Sequence, residues 1–547
     1  MGHAEQTDEP STPATPKADG LDSPVAHGGS ATAPEPREKH FRTEHLVDDL
    51  RGRSVRGGAH TVLGQMASFV LQLGSTAVLA RLLVPQDFGL IAMVMAVTGF
   101  VQMFKDLGLS VATVQRAEIN HEQISTLFWV NMALSGALML LTAVLAPMIA
   151  WFYGEPRLIG ITLALSTTFL LGGLTVQHQA LLRRQMRFGT LALIAIGSQA
   201  VAVAVGITSA TLGAGYWALV IMIASNSAAN AAFVWIACRW RPGLPVRGSG
   251  VRTMLAFGGQ LSVAQFLGYV RRNIDKVLLG ATAGAGPLGL YAKSYQLLLL
   301  PINQINRPMR RVALPALSRL QHDPERYRRF YSKAIGLLVT CGMPLVVFAF
   351  VDVEKVVLTV LGDQWHASIR IFQFLTPMAF IGTFNIAGGW VNLSLGRGDR
   401  NLRANMMSTS VLLIAILSGL SNGPLGVAAA ISLAGVLSRG PILAYQLHGS
   451  HVSMRDVGGA MWRPAAASIL AGVLLYASRS LLDSMNWPLV ELVTGAACYG
   501  VFYLLAWSIL PGGRAILWET LGLLKELRGQ RRSKSDPAVQ PSATQAL

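Results

Sequence analysis

Charge is what this sequence has least of. Only 13% of its 547 residues are Asp, Glu, Lys or Arg, while 52% are hydrophobic and the mean hydropathy is +0.45. A soluble chain of this length could not cover its surface with so few ions, so lipid must solvate most of it. Cysteine is almost as scarce. Cys238, Cys341 and Cys498 show neither pairing nor ligand spacing, which excludes a disulfide framework or thiolate metal site. His448-Gly-Ser-His451 has no further Cys or His partners, so no metal is expected. A Walker-type glycine loop is missing too, which removes ATP hydrolysis and leaves no cofactor to expect. Acidic residues number 28 against 45 basic ones, a net charge of +17.

What is present is a succession of apolar windows about 20 residues long, the length that crosses a hydrocarbon core. Fourteen of them lie between residues 58 and 510. Backbone polar groups in lipid must be satisfied within the segment, so these windows are helices. The expected fold class is all-α, a polytopic membrane protein with about 14 transmembrane helices. The even-numbered connections hold most of the arginine, including Arg183, Arg184, Arg187, Arg239, Arg241, Arg310, Arg311, Arg326, Arg397, Arg400 and Arg403. The odd-numbered ones hold little beyond Arg81, Arg157, Lys355, Arg370 and Arg479. The positive-inside rule then puts both termini in the cytoplasm and makes the basic excess a topology signal, not a nucleic-acid surface.

Residues 1–55 are rich in Pro, Ser, Thr and Ala and read as a disordered cytoplasmic tail ending in Arg51, Arg53 and Arg56, a cluster suited to anionic headgroups. No cleavable signal pattern precedes the first span, which is expected to direct insertion itself. Residues 512–547 form the second cytoplasmic tail, with an amphipathic segment at 514–532.

The chain also repeats itself. Phe88-Gly-Leu-Ile-Ala92 opens the second span and Leu288-Gly-Leu-Tyr-Ala292 the eighth, an offset of 200, and Gly64-Gln65 matches Gly259-Gln260 at nearly the same offset. Spans 1–6 (residues 56–240) and 7–12 (250–450) thus read as two six-helix lobes, with a substrate site expected between them. Spans 13–14 (460–511) are an appended pair.

The seventh window, 254–283, contains Tyr269-Val-Arg-Arg-Asn-Ile-Asp-Lys276. Ionisable groups at bilayer depth cost roughly 2.5–3.5 kcal/mol each on insertion scales, so they are kept where they face a wet interior or a transport path. Gln265, Arg272, Asn273 and Lys276 fall on one helical stripe, and Asp275 stands within pairing distance in sequence of Arg271 and Arg272. The eighth span repeats the pattern with Lys293, Gln296, Asn303, Arg307 and Arg310. The second span contributes Gln102, Lys105 and Asp106. Arg439 in the twelfth span is isolated. This arrangement points to a transporter with cationic helices around a cavity.

RLLVPQDFGLIAMV (Arg81 to Val94), FKDLGLSVATVQR (Phe104 to Arg116), STLFWVN (Ser125 to Asn131), Asn273-Ile-Asp-Lys-Val-Leu-Leu-Gly280 and LGLYAKSYQL (Leu288 to Leu297) resemble the Wzx-type polysaccharide flippases. These belong to the multidrug, oligosaccharidyl-lipid and polysaccharide exporter superfamily, and the likeness is to its colanic-acid and succinoglycan exporter-like branch, over about residues 55–450. The resemblance implies a V-shaped pair of lobes in the bacterial cytoplasmic membrane and a transporter, not an enzyme. It would translocate undecaprenyl-diphosphate-linked oligosaccharide by alternating access, for exopolysaccharide or lipopolysaccharide biosynthesis. Implied partners are that lipid-linked oligosaccharide, membrane lipids, and the polymerase and chain-length machinery.

For such a substrate, Arg271, Arg272, Lys276, Lys293, Arg307 and Lys105 are the candidates to replace water around the diphosphate. Asn273, Gln296 and Asn303 would serve sugar hydroxyls, and Tyr269, Tyr291 and Tyr295 could stack on sugar faces. Asp275 and Asp106 are candidate carriers of a coupling ion, with proton, sodium and membrane potential all open. Three other functions compete, and one of them, a lipid II flippase, shares the chemistry but matches less well than the polysaccharide branch. A drug or metabolite cation antiporter of the same superfamily wants an acidic cavity. A membrane-embedded polymerase or acyltransferase wants large outer loops or a His-centred site, whereas the longest outer connection, 352–367, reads as a solvated loop carrying Asp352, Glu354, Asp363 and His366.

Overall fold

A computed structural model describes residues 50–105, 109–115, 119–246, 268–384, 387–479, 487–511 and 513, with side chains from Leu63 onward except at 111, 112 and 115. Residues 1–49 of the first tail, the 514–532 segment with the rest of the second tail beyond 513, Asp106, Gly259-Gln260 and Gln265 lie outside the described residues, and residues 50–55, expected in the tail, begin a helix. Within them the structure is helical throughout, with no strand.

The helices are α1 (Leu50–Leu82), α2 (Pro85–Gln102), α3 (Leu109–Gln115), α4 (His121–Tyr153), α5 (Arg157–Arg184), α6 (Phe188–Thr211) and α7 (Tyr216–Cys238). They continue with α8 (residues 268–283), α9 (Ala285–Arg319), α10 (Pro324–Val351), α11 (Val353–Leu361), α12 (Ser368–Gly382) and α13 (Ala387–Ser394). Then follow α14 (Gly398–Gly419), α15 (Gly423–Leu447), α16 (Met454–Ala477) and α17 (Pro488–Ile509). Counting α2–α3 and α12–α13 as one pass each and leaving out α11, which has only nine residues, gives fourteen among the described residues, the number expected. Ten segments of the described chain are long and apolar enough to span by composition alone. One of them, Gly398–Leu447, contains both α14 and α15. Helix α9 is not among the ten, diluted as it is by Lys293, Arg307, Arg310, Arg311 and Arg319.

Local chemistry sets many of the ends. Asn120 caps α4, its side-chain oxygen accepting from Gln123 N at 2.9 Å, and Gly154 ends that helix in the left-handed region at φ +64°. Asp323 caps α10 by accepting from Arg326 N at 3.1 Å, and a Ser453–Asp456 capping box opens α16. These starts share one membrane face with Arg183, Arg187, Arg239, Arg326 and Arg397, termed here the arginine-rich face. Arg81, Glu155 and Lys355 mark the opposite face.

Helices α4, α5, α6 and α7 pack on one another, with α1 against α6. In the second group α12 packs on α15 and α14 on α15, and the appended α16 and α17 lie against α10. Tyr503 of α17 donates to Thr340 O of α10 at 3.1 Å, and Asp352 pairs with Arg479 at 3.0 Å. The groups join where α2 crosses α9. A methyl on Gly89 would overlap the Ala285 carbonyl, and one on Gly289 would overlap that of Pro85. The contact is reciprocal at the repeat offset of 200, so the repeated Gly-Leu motif marks the pseudo-twofold crossing.

Three segments depart from expectation. The second span, read as continuous over 89–112, breaks after α2, and a bend carries Lys105 to α5. Span eight, read as 287–309, runs on to Arg319 through Pro301, Pro308 and Pro315, each of which removes one N–H from the helical ladder. The connection 352–367 is not a solvated loop. Val353, Val357 and Leu361 recur every four residues and bury one face of α11, Asp352 is 2% exposed, and Trp365 is fully buried. That apolar period outweighs the charges between, which is why counting charged residues misread it.

Candidate inter-lobe chamber

The end of α1 fixes how the lobes meet at the opposite face. The last carbonyls of a helix have no partner within it, and those of α1 are satisfied from the other lobe. Trp365 Nε1 donates to Ala80 O at 2.8 Å, and Gln364 Nε2 donates to Leu83 O at 2.9 Å and also to Ala80 O. In return Arg81 donates to Thr359 O at 2.6 Å, at the end of α11. Around this latch, Leu79, Leu83, Phe88, Leu288, Leu361 and Trp365 form one apolar cluster drawn from both lobes. The two halves are therefore sealed together on this side.

Below the seal lies a chamber of about 970 Å³, walled by α1, α2, α6 and α7 on one side and α8 and α9 on the other. Its α8–α9 wall is cationic, with Lys276, Lys293 and Arg307 joined by Asn273, Gln296, Asn303 and Tyr295. Lys276 Nζ donates to Asn273 Oδ1 at 3.3 Å, and Lys293 Nζ sits 4.2 Å from the centre of the Phe88 ring. Facing them are amides the sequence reading passed over, Gln72, Gln199, Asn226 and Asn230. Asn226 and Asn230 stand one turn apart in the otherwise apolar α7, the same i, i+4 signal that flagged α8. No carboxylate lines the chamber among the described residues.

A side chamber of about 380 Å³ shares Gln102, Thr168, Asn226, Ser227 and Asn230 with the first and extends along α5 to Arg183, beside the arginine-rich face. Lys105 lines this side chamber and not the main one.

The structure thus brings together Lys276, Lys293, Arg307, Asn273, Gln296 and Asn303. It separates Arg271, Arg272, Lys105, Asp275, Tyr269 and Tyr291 from them. Arg271 lies roughly 140° around the helix from Lys276 at 3.6 residues per turn, with Arg439 and Tyr295 as its neighbours inside the second lobe. Arg272 shares the Lys276 side one turn earlier but is outside the lining. Asp275 forms no ion pair with either arginine. It is 6% exposed, Oδ2 accepts from the Tyr291 hydroxyl at 2.9 Å, and Oδ1 has no hydrogen-bond partner. Tyr291 is fully buried in that contact, which takes it away from any sugar. Tyr269 is committed as well, donating to Met95 O at 2.8 Å and Ala96 O at 3.0 Å across the lobe boundary. Of the three tyrosines, Tyr295 reaches the chamber.

Residues 78–370 match the family described as polysaccharide biosynthesis protein, more than half of the chain. The chain belongs to that family. It is similar to the lipopolysaccharide biosynthesis protein WzxC of Escherichia coli, 25% identical over 438 residues that cover 78% of this chain and 88% of WzxC. It is also similar to the teichuronic acid biosynthesis protein TuaB of Bacillus subtilis, 27% identical over 81% of this chain and 93% of TuaB. Among solved structures, the inward closed conformation of the lipid II flippase MurJ superposes with a TM-score of 0.64 at 15% identity, covering 82% of this chain and 98% of that one. An inward-facing multidrug transporter of the MOP superfamily gives 0.56 at 13% identity, covering 74% and 98%. At such identities the likeness concerns the fold alone, an all-helical polytopic architecture.

Proposed function

We propose that this chain carries undecaprenyl-diphosphate-linked oligosaccharide across the bacterial cytoplasmic membrane, from the arginine-rich side to the other, by alternating access. The observation that carries the reading is the composition of the inter-lobe chamber: Lys276, Lys293 and Arg307 on one wall, amides on the other, and no carboxylate lining it among the described residues. A diphosphate crossing oil needs fixed donors in place of water. Arg supplies a planar fork and Lys a point charge, while amides and hydroxyls offer the paired donors and acceptors that sugars use. The arginine-rich face is taken as cytoplasmic on the positive-inside rule, so the chamber is reached from the side where precursors are assembled. The names of the family and of WzxC and TuaB agree with a place in polysaccharide biosynthesis, and polymerase and chain-length proteins are the natural recipients of the product.

The cation-antiporter reading fares worse, since the cationic wall repels its cargo. Asp275, buried and half-satisfied against Tyr291, is the proposed carrier if a proton couples the cycle.

Deleting the protein tests the function. Lipid-linked oligosaccharide should accumulate on the inner leaflet, whereas build-up on the outer leaflet would replace the flippase reading by a polymerase. In the deletion strain, Lys276→Ala at wild-type protein level should restore less than about a tenth of export. Full restoration would remove Lys276 from the diphosphate site.

A further inference from the structure

Arginine gathers at one corner of the second lobe more tightly than topology requires. Arg397, Arg400 and Arg403 open α14 at steps of three, and with Tyr445 and His448 from the end of α15 they line a groove of about 710 Å³ on the arginine-rich face. Like charges so spaced repel along one side of a helix, and Arg397 and Arg400 stand at the end where the helix dipole favours anions. Those two have a structural duty. Arg397 donates to His448 O at 3.3 Å and to Gly449 O, and Arg400 donates to His448 O while lying 5.6 Å over the Tyr445 ring, so both satisfy carbonyls that the end of α15 leaves open. An added carbon on Gly449 would stand 3.9 Å from Arg397 Nη1 and 4.0 Å from Arg400 Nη1, so the two guanidiniums converge on one spot. Arg403 has no such duty, making no hydrogen bond or ion pair among the described residues. Asp399 lines the groove too, yet no carboxylate among the described residues pairs with any of the three arginines.

Below the groove the same side of the helix is apolar. Arg397 to Arg403 covers about 9 Å along α14 at 1.5 Å per residue, enough to reach through the headgroup layer to the edge of the hydrocarbon. Met407, Ile414 and Leu417 follow Arg403 at four, eleven and fourteen residues, within about 40° of its side of the helix, and all three are exposed. The groove shares no lining residue with either chamber, so what binds there is not cargo in transit. We infer that Arg397, Arg400 and Arg403 hold the phosphate of an anionic phospholipid from the arginine-rich leaflet, with its chains along Met407, Ile414 and Leu417. Arg403 supplies a whole guanidinium fork and the other two supply convergent charge. The apolar stripe in line with the cations selects a lipid over a soluble phosphate. This site holds its lipid whatever the chamber carries, and so it is independent of the diphosphate reading above.

Arg403 supplies a test that spares the fold, since replacing it breaks no contact among the described residues. Full-length protein in micelles doped with equal amounts of dioleoylphosphatidylglycerol and dioleoylphosphatidylethanolamine would be analysed by native mass spectrometry, which counts the lipids retained. The wild type should retain phosphatidylglycerol at least about tenfold more often than phosphatidylethanolamine. Arg403→Gln should cut that preference about fivefold, the share of one basic residue at a membrane surface. Arg403→Lys should keep it within about twofold. Arg241→Gln, which removes the same charge beyond the end of α7 on the same face, should also leave it within about twofold.

Equal retention of the two lipids by the wild type, or a preference that survives Arg403→Gln, overturns the site. So do equal losses in Arg403→Gln and Arg241→Gln, which would reduce it to the general charge of the face. Displacement of the retained lipid by glycerol 3-phosphate as readily as by added phosphatidylglycerol would also overturn it, putting a soluble phosphate in the groove. Displacement as readily by geranylgeranyl diphosphate would overturn it in favour of a waiting place for a diphosphate-linked lipid.

Discussion

At the scale of single residues, the helical period was enough to collect Asn273 with Lys276 and Lys293 with Gln296, because side chains three and four apart share a face wherever the helix is set. It could not say which neighbour each would meet. Asp275 follows Arg271 by one turn yet bonds Tyr291, a residue supplied by the next helix, and no pattern inside α8 contains that fact. Lys293 shows what such neighbours do. Its ammonium lies over Phe88, whose ring meets Trp365 edge-on at 5.4 Å between centroids. The chamber's roof and the seal above it therefore share one side chain. A cation–π contact of this kind is worth about 0.5–2 kcal/mol depending on desolvation. Phe88→Leu should accordingly change geranylgeranyl diphosphate affinity by no more than about thirtyfold while loosening the seal, seen as faster hydrogen exchange in α11. Unchanged exchange there would mean that Phe88 merely fills space.

At the scale of elements, the repeated glycine was visible as a coincidence of sequence and becomes intelligible as a contact. Gly89 and Gly289 let the backbones of α2 and α9 approach until each would strike the other's helix with a single added carbon. The obstacle is a carbonyl on either side, which cannot swing away as a side chain would, and overpacking at such a site costs about 1–3 kcal/mol or more. Gly89→Ala and Gly289→Ala should each cut export at least tenfold and lower the thermal midpoint of the purified protein. The double variant should be little worse than either single one, because both carbons pry open the same crossing. Strictly additive losses would show that the glycines act at separate places. The connection 352–367 teaches the converse. Its charges suggested solvent, but the spacing of Val353, Val357 and Leu361 had already specified a buried face. That face could be read only once there was a second lobe for it to lie on.

At the scale of the whole molecule, the proposed alternating access exchanges one seal for another, and the seal present here is polar as well as apolar. The carbonyls ending α1 lose their donors if the lobes part at the opposite face, and water must replace Trp365 and Gln364 there. Each hydrogen bond is worth about 0.5–1.5 kcal/mol net, so removing the three that these two side chains donate should shift the balance toward the opened form by about 1.5–4.5 kcal/mol, at least about tenfold. Trp365→Phe with Gln364→Leu keeps the packing and deletes the donors. In a variant with Cys238, Cys341 and Cys498 replaced and cysteine put in place of Lys276, a membrane-impermeant thiol reagent added at the opposite face should label position 276 slowly. Adding the two latch substitutions should raise that rate at least fivefold and reduce labelling from the arginine-rich face in parallel. A reciprocal change is required because one chamber serves both sides. Faster labelling from both faces at once would describe a leak through a damaged seal, and unchanged labelling would relegate the latch to holding α11 in place.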